Sequence, residues 1–169
     1  MGVSSFLTFD DARDTAHLPR WPLLRHSADG DSASRNQGVY VSPEGKFETR
    51  DELQHVALDH LPPEPLNPLI ARQFVHGSQS MLARILLRKG ALVPRHSHHN
   101  EQITYILSGA LRFQFDDGRE IVVRAGETLV IPPHMPHAAE AIEDTIDLDV
   151  FAPPREDWIN GTDAYLRGK

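Results

Sequence analysis

The chain has 169 residues, 40% of them hydrophobic and 24% charged, and 17 basic against 24 acidic side chains leave a net charge of −7. This balance suits one globular domain and excludes a wholly disordered chain or a fibrous repeat; the negative charge, with no basic cluster, also excludes a nucleic-acid partner. Without cysteine there is no disulfide, thiolate metal site or cysteine nucleophile, so any metal must take nitrogen or oxygen ligands. No stretch reaches the ~18 apolar residues of a membrane span, and the N-terminal residues lack a basic segment followed by an apolar one. The expected location is the cytosol, with no membrane partner.

Seven of the 13 prolines fall in the first 68 residues, which show no sustained periodicity and read as an irregular extension. Within it, Leu53, Val56, Ala57 and Leu61 are spaced for a short helix over 51–61, capped by Thr49 or Asp51 and ended by Pro62-Pro63.

From about Ser80 the texture becomes short apolar runs between turn residues, the pattern of an all-β barrel or sandwich. Strands are expected over Met81–Arg88, Gln102–Leu107, Ala110–Phe115, Glu120–Arg124, Thr128–Ile131 and Thr145–Phe151. Asp117-Gly118 is a hairpin signal, and Ser108-Gly109 and Ala125-Gly126 mark turns.

Five of the ten histidines lie between positions 96 and 137: His96, His98, His99, His134 and His137. On extended chain His96 and His98 face the same way about 7 Å apart, close enough to share a metal. Gln102 has the same parity and Glu101 the opposite one, so Gln102 is the expected neighbour of the pair. His99 and His134 are open between a donor behind the ligands, a general base and a solvated side chain. His17, His26, His55, His60 and His76 lack convergent partners and read as solvated. Asp147 and Asp149 alternate with Ile146, Leu148 and Val150, so they line either a solvated face or the inside of a barrel.

The spacing resembles the two motifs of the cupin superfamily. Gly90, His96, His98, Gln102 and Gly109 follow the first motif, with Gln102 at the usual Glu. Gly126, Pro132, His134 and His137 follow the second, with His134 at the usual Gly and Ala141 at the usual Asn. The resemblance, to single-domain RmlC-like cupins of type 2, covers about residues 80–155. It implies an all-β jelly-roll barrel (a double-stranded β-helix) over 69–158, with 1–68 packing on the barrel or a partner subunit and 159–169 as a tail. It also implies one divalent transition metal (Zn, Fe, Ni, Mn or Cu) on His96, His98, Gln102 and His137, and a homodimer.

A narrower resemblance runs through 149–158, DVFAPPREDW, which is similar to the segment after the last barrel strand in the pectin-degradation cupins that linearise unsaturated uronates. It implies that Asp149 and Phe151 face the metal and that Arg155 anchors a carboxylate, although Arg155 on its own reads equally as a surface ion-pair partner. The expected activity is that of an isomerase or lyase on a small anionic or polyol substrate, a sugar acid or keto-acid. An iron-dependent dioxygenase and a non-catalytic metal or ligand sensor are the alternatives.

Overall fold

The computed structural model describes Phe47, Thr49 and residues 52–167. Among these, ten strands form two antiparallel sheets. They are β1 (Glu64–Asn67), β2 (Ile70–His76), β3 (Met81–Leu87), β4 (Leu92–His96), β5 (Glu101–Ser108), β6 (Ala110–Phe115), β7 (Glu120–Arg124), β8 (Thr128–Ile131), β9 (His137–Ala141) and β10 (Thr145–Ala152). The larger sheet runs β1-β2-β3-β10-β5-β8 and the smaller β4-β9-β6-β7. Facing each other, they enclose a lumen whose core includes Ile85, Leu87, Ile106, Leu111, Phe113 and Ile131. This is the jelly-roll barrel that the strand pattern and motifs imply.

The alternation in β5 is complete: Gln102, Thr104 and Ile106 are buried and Glu101, Ile103, Tyr105 and Leu107 exposed. Side chains on a strand point alternately to opposite faces, so this strand delivers its polar inward residues to the barrel mouth and its apolar ones deeper. In β10 the inward set is Thr145, Asp147, Asp149 and Phe151. Register sets Phe151 opposite Gln102, Asp149 opposite Thr104 and Asp147 opposite Ile106. The turn between β5 and β6 requires Gly109: its φ is +82°, and a Cβ there would come within 2.2 Å of the Asp144 carbonyl.

The helix expected over 51–61 is not formed. Residues 52–57 are irregular and only Leu58–His60 makes a single 3₁₀ turn. The apolar spacing misled because Leu53 has no surface to bury and is 97% exposed. Instead the Gln73 side-chain amide donates to the carbonyls of Leu58 (2.7 Å) and Leu61 and ties this segment flat against the sheet. Strands β1 and β2 carry no strong sequence signal, since Arg72 and Gln73 interrupt the apolar pattern although both are buried. Of the calls on the extension, His17 and His26 and most of 1–51 lie outside the described residues.

Chain 153–167 folds back over the barrel mouth through a short helix, α1 (Glu156–Ile159), and a 3₁₀ turn at Ala164–Leu166. The return is held by a buried ion pair between Arg72 Nη1 and Asp163 Oδ2 at 2.5 Å. Arg167 bridges Glu64 and Asp163, and Asn67 donates to the Leu166 carbonyl.

Candidate metal centre and its pocket

His96 ends β4 and His137 begins β9, paired across the smaller sheet, while His98 follows in the loop after β4. Their ring nitrogens come within 4.8 Å of one another. In each ring Nδ1 faces a backbone carbonyl: Pro94 for His96 (2.9 Å), Asn100 for His98 (3.0 Å) and Met135 for His137 (2.9 Å). A carbonyl only accepts, so each Nδ1 donates and each Nε2 keeps its lone pair in the neutral ring. Burial also favours the neutral form. It depresses His96 to about 3, assisted by the positive charge His137 would carry, and His98 to about 4, assisted by Arg155. His137 is lowered mainly by burial.

Gln102 is 5% exposed and aims into the same space, whereas Glu101 is exposed on the opposite face. Its amide nitrogen donates to Asp149 Oδ1 (2.9 Å) and Thr104 Oγ1 (2.9 Å), which turns Oε1 toward His98 Nε2 at 3.1 Å. With Nδ1 of His98 donating elsewhere, that last contact brings two lone pairs together. Two acceptors this close need a cation, so the donor set of three imidazole nitrogens and an amide oxygen fits a divalent transition metal.

Asp149 is 5% exposed, and Thr104 Oγ1 (2.5 Å) and Gln102 both donate to its Oδ1. Burial raises it to about 6 against the lowering effect of those two bonds and of Arg155. Phe151 stands edge-on to His98, 5.6 Å between centroids. Arg155 is 2% exposed, so it is not a surface residue. Its Nε and Nη2 fork onto Asp157 at 2.9 and 2.7 Å, Nη2 also reaches Tyr165 Oη at 2.8 Å, and its guanidinium lies 4.9 Å from the Trp158 ring centre. His96, Gln102, His137, Asp149, Phe151 and Arg155 all border one cavity that opens to solvent.

Residues 83–152 match the cupin domain family. The barrel is a cupin domain. Among solved structures, the cupin is similar to KdgF from Halomonas sp., with 29% identity and a TM-score of 0.56 over 59% of this chain and 94% of that one. It is also similar to an RmlC-like cupin from Shewanella frigidimarina, with 28% identity and a TM-score of 0.59 over 63% of this chain and 96% of that one. The polyketide cyclase RemF from Streptomyces resistomycificus shares the fold, at 22% identity and a TM-score of 0.53 over 60% of this chain and 80% of that one. No curated protein matches the chain by sequence.

Two histidines of the cupin motifs stay outside the centre. His99 and His134 are both exposed. His134 occupies the usual glycine position with φ at 64°, and its backbone N–H donates to the His98 carbonyl at 2.7 Å. It thus braces the loop that carries a ligand without presenting its own ring.

One residue bordering the cupin pocket escaped the sequence reading. Tyr165, from the returning tail, stacks on His96 with centroids 4.7 Å apart and 27° between planes. Its position depends on the Arg72–Asp163 pair, which joins residues far apart in sequence and leaves no periodic trace.

Proposed function

We propose that this cupin is a metal-dependent enzyme of small oxyanions, an isomerase or lyase acting on a sugar acid or keto-acid. The observation that carries the reading is Asp149: a buried carboxyl, raised to about 6, hydrogen-bonded to the same Gln102 that turns its oxygen toward the histidines. A group whose proton affinity lies near neutrality is suited to accept and return a proton at a carbon or hydroxyl beside the centre.

His96, His98, His137 and Gln102 would hold the metal. When bound, it supplies Lewis acidity undiminished by any anionic ligand, polarising a substrate oxygen. The remaining work falls to side chains. Gln102 and Thr104 hold Asp149 Oδ1, leaving Oδ2 for the proton in transit. Arg155, braced by Asp157 and Tyr165, gives the mouth a fixed positive charge for a carboxylate, and Phe151 forms an apolar wall that limits water beside the reacting atoms.

The test is a screen of unsaturated uronates, sugar acids and keto-acids with metal-loaded protein, reading product by NMR. Turnover is expected, and Asp149→Asn should lower kcat at least about 100-fold with little change in KM, because an amide keeps the shape but cannot take the proton. Absence of turnover and of binding across the screen, with oxygen consumed on neutral aromatic diketones or flavonols, would replace this reading with an iron dioxygenase.

A further inference from the structure

Below Asp149 the lumen turns apolar. Its walls there are Ile70, Ile85, Leu87, Leu111 and Phe113, and they surround one polar side chain, Asp147. Asp147 is 3% exposed, and its carboxyl makes no hydrogen bond among the described residues, with Oδ1 fully enclosed. Its cross-strand neighbours are Ile85 and Ile106, neither of which offers a donor. The Asp149 oxygen toward Asp147 would repel it rather than satisfy it, and burial together with that neighbour pushes Asp147 well above the usual carboxylate range.

A buried carboxyl without partners is rare, because the desolvation it suffers goes uncompensated. Nothing in the proposed chemistry uses it: Asp147 lies one inward step further down β10 than Asp149, about 7 Å along the strand, away from the histidines. It does border the same continuous cavity as His96 and Arg155.

We propose that Asp147 is the distal specificity determinant of the pocket, accepting a hydrogen bond from a hydroxyl at the far end of an elongated oxyanion whose acidic end lies at the histidines. This rests on the reading of the pocket as an oxyanion site. The apolar walls between the two ends favour a ligand with a carbon chain in the middle, and they reject one that ends in a methyl group by leaving Asp147 unsatisfied. The substrate class thereby narrows to ω-hydroxylated acids of about six carbons.

The experiment compares 6-hydroxyhexanoate with hexanoate, and 4-hydroxybutyrate with butyrate, on zinc-loaded protein by thermal shift and calorimetry. Wild type should prefer the six-carbon hydroxy acid about 3–10-fold over hexanoate and show no such preference in the four-carbon pair, whose hydroxyl cannot reach. Asp147→Leu should reverse the six-carbon preference, and Asp147→Asn, which keeps an acceptor, should retain it. The four-carbon control needs no variant and decides the question even if Asp147→Leu fails to fold. Equal binding of both six-carbon acids to wild type, or an unchanged preference in Asp147→Leu, would overturn the inference and assign Asp147 to an internal water. If none of the four acids bound, the oxyanion reading itself would fall, and this inference with it.

Discussion

Tyr165 stacks on His96 while its hydroxyl receives a hydrogen bond from Arg155, so one side chain touches both the histidine cluster and the cation beside it. Tyr165→Phe keeps the stack and removes the hydroxyl. It should leave zinc affinity unchanged and weaken binding of a carboxylate probe about 2–10-fold, through a less constrained Arg155. Tyr165→Ala should weaken both. Titration calorimetry with zinc alone, then with the carboxylate on the zinc-loaded protein, separates the two effects.

His98 and Gln102 predict a graded response of metal content. His98→Ala should empty the centre, Gln102→Ala should weaken it, and Glu101→Ala should leave it intact, since Glu101 points to solvent on the other face. Elemental analysis after dialysis reads all three. Metal lost from Glu101→Ala but kept by Gln102→Ala would reverse the assignment.

The metal-free protein should show opposing pH dependences. His96 and His98, held neutral down to about 3 and about 4 when folded, take up protons first in the unfolded chain. Their contribution is therefore present above about 6.5 and is lost as pH falls toward those folded values. Asp149, raised to about 6, acts in reverse: its contribution is present below about 3.9 and is lost as pH rises through about 6. The two slopes oppose each other between about pH 4 and 6. Asp149→Asn deletes the falling one, so its Tm in the presence of chelator should climb more steeply with pH across that window than wild type.

The tail closure depends on Asp163, which is 1% exposed against Arg72 at 0%. Asp163→Ala leaves a buried guanidinium with only Glu64 as its acidic partner among the described residues, and loss of one member of a buried pair typically costs about 3–5 kcal/mol. The Tm should fall by roughly 6–20 °C at about 2–4 °C per kcal/mol for a domain of this size. The His96–Tyr165 contact should loosen as well, seen as broadening of the Tyr165 ring resonances.

What could be read from sequence divides along a physical line. The alternation of β5 and β10 follows from each strand having one face in the lumen and one outside, so period-two spacing exposes it directly. The histidine pair was legible because its spacing is local, a single residue separating His96 from His98, and His137 stood out through the second motif. Strand β2 was not, because Arg72 and Gln73 are buried through partners supplied by the tail and by the 58–61 segment, and burial of that kind looks polar in sequence. The helix over 51–61 failed for the converse reason, since Leu53 had the spacing but no surface to pack on. Tyr165 shows the same dependence on long-range closure: it reaches His96 only once chain 153–167 has folded over the mouth.

The three imidazoles take their orientation from the carbonyls of Pro94, Asn100 and Met135. Where such a supporting acceptor is a side-chain carboxylate, a single substitution can delete it. Main-chain oxygens survive any substitution that preserves the local trace. Here the apparatus that aims the three imidazoles is therefore insulated from mutation, while Asp147, deeper on β10 and bonded to none of the ligands, is free to change. A barrel built in this way can be re-addressed to new molecules by rewriting the deep inward position of β10, with the aim of its imidazoles inherited unchanged.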